Sequence, residues 1–210
     1  MNNLSNHLHY QRIDWYTRDD VNFVYIPINR CASNWMTTML LENDFYVVAP
    51  VNRNKVASKD RVVILREPVE RVISGMFINE NYDLSILDRR IDYSVFSSTL
   101  EQDVHTIGQT MYLPHEDPAK FVFFKFEEDL PAKIEDFMNS QGIKLKLGSM
   151  PWLKPLMTTG PHSMLHRPIG ATSKENREKV YRDPKLLNMF RTYLKEDYKL
   201  YNSVEWYGTN

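Results

Sequence analysis

Apolar residues in this chain gather into four short runs, Val21–Ile26, Phe45–Ala49, Arg61–Leu65 and Phe121–Lys125, and the segments between them carry a helical period or none. Runs of this length, rich in Val, Ile and Phe and closed by Pro or polar residues, predict strands; RVVIL is apolar without alternation, as a strand buried on both faces should be. Helices are predicted over Asn34–Glu42, from Pro68 onward, over Asp83–Ile91 and Tyr93–Glu101, and over Pro131–Ser140 with Gly142 as its C-terminal cap. Lys174–Tyr207 reads as two further helices, with Leu187, Phe190, Tyr193, Leu194 and Tyr198 on one apolar face. Strands that alternate with helices predict a single α/β domain over residues 21–210, a central parallel sheet flanked by helices, preceded by a polar and aromatic arm over residues 1–20. In such a sheet ligands gather beyond the carboxyl ends of the strands.

Two of those strand ends carry chemistry. The first is NFVYIPINRCASNWMTTMLL, Asn22–Leu41: a strand, a polar loop, then a helix with Ser33 or Asn34 as its cap. The unpaired N–H groups and positive dipole end of such a helix suit a phosphate or sulfate, and Arg30 adds a full charge. Read alone, the loop is equally an ordinary buried strand-to-helix connection. No glycine occurs between Met1 and Ile73, so neither GxxxxGK[ST] nor GxGxxG is present. The second is VVILREPVERVISGMF, which sets Arg66 just past a strand, Pro68 at a helix start and Arg71 and Ser74 along that helix. About two helical turns separate Arg66 from Ser74, so guanidinium and hydroxyl can converge on one phosphate; a capped surface helix is the plainer alternative.

Charge then narrows the partners. The chain has 210 residues, 26 basic and 27 acidic, so no net field favours nucleic acid and any anion site must be local. The single cysteine, Cys31, excludes an internal disulfide and a Cys-based zinc cluster, and reads as a small packing residue. His162 and His166 stand among Pro161, Pro168 and Gly170, which argue against a helical metal pair, and no metal is expected. The start of the chain lacks an apolar signal region and no run is long enough to span a bilayer, so the expected location is cytoplasmic. The stretch Ile143–Gly170, without clear period, suggests a lid or an acceptor-binding segment.

The loop Asn29–Trp35 resembles the 5′-phosphosulfate loop of sulfotransferases, especially the carbohydrate and Golgi-type branch, whose pattern is I-P-K-[NTVC]-[AG]-[ST]-[ST]; Asn29 stands where the family has Pro and Arg30 where it has Lys. Arg66, Glu67, Pro68, Arg71, Ser74 and Phe77 resemble the 3′-phosphate motif R-[DE]-P-x-x-R-x-x-S-x-[YF]. EQDVHTIGQ is similar to the family's D-x-H-[WF]-x-P-Q block at Asp103, His105 and Gln109; FEEDL, Phe126–Leu130, resembles its Y-E-D-L block; and Tyr193, Asp197, Tyr198 and Tyr201 resemble its closing Y-x-x-D-Y pattern. The resemblance implies a P-loop-kinase-like sulfotransferase fold and, as co-substrate, 3′-phosphoadenosine 5′-phosphosulfate (PAPS), whose sulfuryl group passes to a hydroxyl acceptor, a carbohydrate in this branch. It implies that Arg30, Cys31, Ala32, Ser33, Asn34 and Trp35 hold the phosphosulfate end, that Arg66 and Ser74 hold the 3′-phosphate, and that Arg167, Ser173 or Lys174 closes over the nucleotide. His105 is the expected general base or acceptor-binding residue, with Glu42 and Asp44 as rivals. The alternatives are a PAPS-binding homologue without turnover and a nucleotide kinase.

Overall fold

The computed structural model describes residues 13–76, 84–88, 90–146 and 171–209. Its centre is a five-stranded sheet in the order β3-β1-β2-β4-β5, built from β1 (Trp15–Thr17), β2 (Phe23–Ile26), β3 (Tyr46–Val48), β4 (Asp60–Leu65) and β5 (Phe121–Lys125). The three apolar runs at β2, β4 and β5 pair in parallel, Tyr25 with Val62 and Val63 with Phe123. All four residues of β2 are buried, as are the last five of β4, which is why their sequences show no alternation.

The sheet is mixed, not parallel as expected. Residues 15–17, placed by sequence in an arm, form a strand inserted between β2 and β3 and antiparallel to both: Tyr16 faces Tyr25, and Trp15, Tyr16 and Thr17 face Val48, Val47 and Tyr46. Three residues are too few to show a period, and only their partners define them as a strand. The turn back into β2 is tied by Thr17, whose hydroxyl donates to the Phe23 carbonyl at 2.6 Å. β3 ends the sheet as an exposed antiparallel edge.

The helices are α1 (Ser33–Glu42), α2 (Pro68–Met76), α3 (Tyr93–Glu101), α4 (Leu130–Ser140), α5 (Ala171–Arg182), α6 (Pro184–Tyr193) and α7 (Lys195–Ser203). Apolar faces of α1 and α4 join the sheet core through Met36, Leu40, Ile134 and Met138. A second apolar cluster joins α2, α3, α5 and α6 through Val72, Phe96, Val180 and Phe190. The helix expected over Asp83–Ile91 is, in its described part, a 3₁₀ turn at Leu84–Leu87. The two expected C-terminal helices are three: Asp183 caps a new helix by accepting from Lys185 N–H and Leu186 N–H, with Pro184 at its first position, and a second break falls at Leu194. Gly142 does end α4, at φ 74°, where Ile143 N–H reaches back to the Met138 carbonyl at 2.9 Å. Among the described residues no helix is long and apolar enough to cross a membrane.

Candidate functional site

The loop between β2 and α1 lacks glycine yet holds two residues in the left-handed region, Arg30 at φ 69° and Ala32 at φ 56°. Each costs about 1–2 kcal/mol for a residue with a Cβ. Ala32, not Ser33 or Asn34, is the N-cap of α1, and no side chain caps the helix. The first intrahelical bond runs from Met36 N–H to the Ala32 carbonyl at 2.9 Å, so the N–H groups of Ser33, Asn34 and Trp35 have no acceptor within the helix. Cys31 is different: its N–H is used by the Ile28 carbonyl at 3.1 Å, and its side chain is buried against Gln109 Oε1 at 3.2 Å. It belongs beneath the loop, not in the ligand-facing set that the resemblance implied.

The second strand end meets this loop. Arg30 Nε and Nη2 both donate to Ser74 Oγ on α2, at 3.1 and 2.9 Å. Arg66 Nη1 lies 3.5 Å from the Arg30 carbonyl, and its guanidinium stacks on Phe126, 4.7 Å from the ring centroid, just past β5. Thus Arg30, Arg66 and Ser74 occupy one corner at the carboxyl ends of β2, β4 and β5. Arg66 is 4% exposed, and burial pushes its guanidinium down to about 10, still charged at neutral pH. Among the described residues its nearest carboxylate is Glu70, at 3.8 Å. Glu67 caps α2, accepting from Glu70 N–H at 2.7 Å with Pro68 between them at the first helical position. Arg71 is fully buried; its Nη1 donates to the Asn29 and His105 carbonyls at 3.2 and 3.1 Å.

The third block reaches the same corner. Asp103 Oδ1 accepts the His105 backbone N–H at 2.8 Å and lies 2.8 Å from His105 Nδ1, which directs Nε2 away from the carboxylate. His105 packs against α2 so closely that only glycine fits beside it at position 75. Gln109 is buried and bonds both main-chain groups of Arg66: Arg66 N–H donates to Oε1 at 2.9 Å and Nε2 donates to the Arg66 carbonyl at 2.8 Å. Asp197 on α7, 2% exposed, in turn accepts from Gln109 N–H at 2.6 Å and from Thr110 N–H and Oγ1 at 3.0 and 2.9 Å. A chain of bonds therefore runs from the last helix to the Arg66 turn.

The rival bases are elsewhere. Glu42 closes α1, about 14 Å along the helix from Ser33, and Asp44 beyond it pairs with Lys146 at 3.1 Å in solvent. Phe77, Arg167, His162 and His166 lie outside the described residues. Ser173 and Lys174 fall in the first turn of α5, where side chains are not described. The cation that α5 does bring to the site is Arg177, one turn beyond Lys174, whose Nη2 lies 2.6 Å from Glu70 Oε2. Tyr181 and Tyr198 also dock there, both donating to Glu67; burial first, and then Glu67 through its charge on Tyr181 and its hydrogen bond with Tyr198, push both phenols far above their ordinary range. Sequence reasoning missed Arg177 and the purpose of Asp197. A buried carboxylate on an apolar helix face, as at Asp197, is the signal that could have marked it.

Burial pushes the Cys31 thiol up to about 11. It should therefore resist alkylation at pH 8 in the folded protein and react on unfolding in guanidinium, as mass spectrometry after iodoacetamide treatment would show.

Set against protein-family models, curated proteins and solved structures, the chain matches none. What the site can do follows from its own residues. Three arginines gather near a helix N-terminus with spare N–H groups, and two nitrogens of Arg71, Nε and Nη2, are buried with no hydrogen-bond partner among the described residues. That excess of donors over acceptors fits a multiply charged oxyanion.

Proposed function

We propose that this chain is a PAPS-dependent sulfotransferase of the P-loop-kinase-like fold, moving a sulfuryl group to the hydroxyl of a carbohydrate. The observation that carries the reading is the Arg30–Ser74 contact, with Arg66 against the Arg30 carbonyl. It joins the anion-binding groups of two separate strand ends in one place, as a nucleotide with phosphates on both its 3′ and 5′ positions requires. On this reading Arg30 and the N–H groups of Ala32, Ser33, Asn34 and Trp35 hold the phosphosulfate end, while Arg66 and Ser74 hold the 3′-phosphate. Bound there, the donor would supply an activated sulfuryl group. His105, oriented by Asp103, takes the proton from the acceptor hydroxyl at Nε2. The donors gathered around Arg30 stabilise developing negative charge, an effect worth about 3–4 kcal/mol per donor in well-measured oxyanion holes.

Transfer of radiolabelled sulfate from PAPS across glycans, phenols and lipid alcohols tests the reading. Label should appear on one acceptor class. His105→Asn should cut kcat by about 10²–10⁴-fold and leave the affinity for adenosine 3′,5′-bisphosphate near that of the parent. Tighter binding of ATP than of the bisphosphate would turn the assignment toward a kinase. One observation favours a second reading, a PAPS-binding protein without turnover: Arg30 replaces lysine, stays charged, and so cannot give a proton to the leaving group. Bisphosphate binding with no transfer to any acceptor, restored by Arg30→Lys, would establish that reading.

A further inference from the structure

Among the described residues, each buried arginine near the sheet has a carboxylate to answer it, except one. Arg61 pairs with Glu116 at 2.8 Å, and Arg66 faces Glu70. Arg71 is 0% exposed, and among the described residues no carboxylate lies within 4.0 Å of it. Its Nη1 is shared between the carbonyls of Asn29 and His105, its Nε and Nη2 have no hydrogen-bond partner among the described residues, and the Tyr112 ring, 5.6 Å from Cζ, offers only a weak electrostatic contact. A buried charge left without a counter-charge is costly, and in a low-dielectric interior its field reaches well beyond contact distance. The two carbonyls it grips are also particular: Asn29 directly precedes the left-handed Arg30, and His105 carries the imidazole held by Asp103.

We propose that Arg71 is a positioning residue that clamps the Asn29–Ala32 loop to the His105 turn and supplies from beneath a buried positive charge that a bound phosphate or sulfate neutralises. It acts through the loop and the turn and need not touch the ligand. The proposal rests on the reading that this loop holds the phosphate groups of a nucleotide. The charge can be separated from the guanidinium's shape, because lysine keeps the charge on one nitrogen that can still donate, whereas glutamine and methionine remove the charge.

The test is calorimetric titration of adenosine 3′,5′-bisphosphate, and separately of inorganic sulfate, into the wild-type chain and the Arg71→Lys, Arg71→Gln and Arg71→Met variants, with circular dichroism to establish folding. Wild type should bind both, Arg71→Lys should stay within about threefold of it, and the two neutral variants should bind each anion at least about tenfold more weakly. Neutral variants that bind as tightly as wild type overturn the proposal. So does a lysine variant as weak as the neutral ones, since charge would then not be the agent. Neutral variants that fail to fold beside a lysine variant that folds and binds would assign Arg71 to stability alone and also overturn it. A wild type that binds sulfate but not the bisphosphate removes the nucleotide reading, and the sulfate titrations then decide Arg71; binding of neither removes both.

Discussion

Arg66→Ala is expected to weaken binding of adenosine 3′,5′-bisphosphate by about 10²–10³-fold, the equivalent of about 3–4 kcal/mol. The magnitude follows from burial: a guanidinium that is 4% exposed, stacked on Phe126 and set 3.8 Å from its nearest carboxylate, loses little solvation when an oxyanion arrives. Its main chain is held independently, because Gln109 bonds the Arg66 N–H and carbonyl whatever the side chain. The variant should therefore fold, with a thermal midpoint near the parent's. Calorimetry that returns an unchanged affinity removes Arg66 from the site and with it the proposed nucleotide.

Gly75→Ala is expected to be the most damaging single substitution in the fold. A Cβ at position 75 would stand 2.0 Å from the His105 carbonyl oxygen and 2.7 Å from its carbon, and both are backbone atoms. Relief requires α2 and the His105 turn to separate, which breaks the bond from Arg71 to His105 and opens the cluster around Val72 and Phe96. The loss should be about 3–5 kcal/mol, a fall in Tm of about 6–20 °C for a chain of this size. Gly142→Ala is the natural comparison. Its φ of 74° makes alanine strained there, but no atom of the described residues lies within 4 Å of the added Cβ, so about 1 kcal/mol is expected. Differential scanning calorimetry that finds the two variants equally stable would contradict the packing of α2 on the third block.

Coordinated burial explains why some elements were legible and others were not. β4 announces itself as RVVIL because both faces of this inner strand are covered, the edge strand β5 reads as FVFFK from its aromatic and β-branched run with Phe123 and Phe124 buried, and α2 follows from Pro68 and the apolar spacing Val69, Val72, Ile73 and Met76. β1 escaped because Trp15–Thr17 is a strand only by virtue of Tyr25 and Val47 on either side. The cap of α1 was misassigned for a related reason: side-chain capping rules favour Ser33 or Asn34, yet the backbone enters the helix through a left-handed Ala32 with no cap bond. Strain of this kind is set by what surrounds a loop, and no local propensity records it.

The order of β2 to β5 and of the helices from α1 to α4, the strand-end positions of Arg30 and Arg66, and the placing of Ser74 and Arg71 on one helix were determined by the sequence alone, because periodicity and proline act over a few neighbouring residues. Tertiary structure alone decided that the sheet is mixed, that Arg30 reaches Ser74 across 44 residues, that Asp197 braces Gln109 across 88, and that Arg71 is buried with no carboxylate within 4.0 Å among the described residues. Each of these depends on which distant groups a closed core brings within hydrogen-bonding distance. A charged side chain reads the same in sequence whether its partner is water, a carboxylate or nothing, and only packing selects among them.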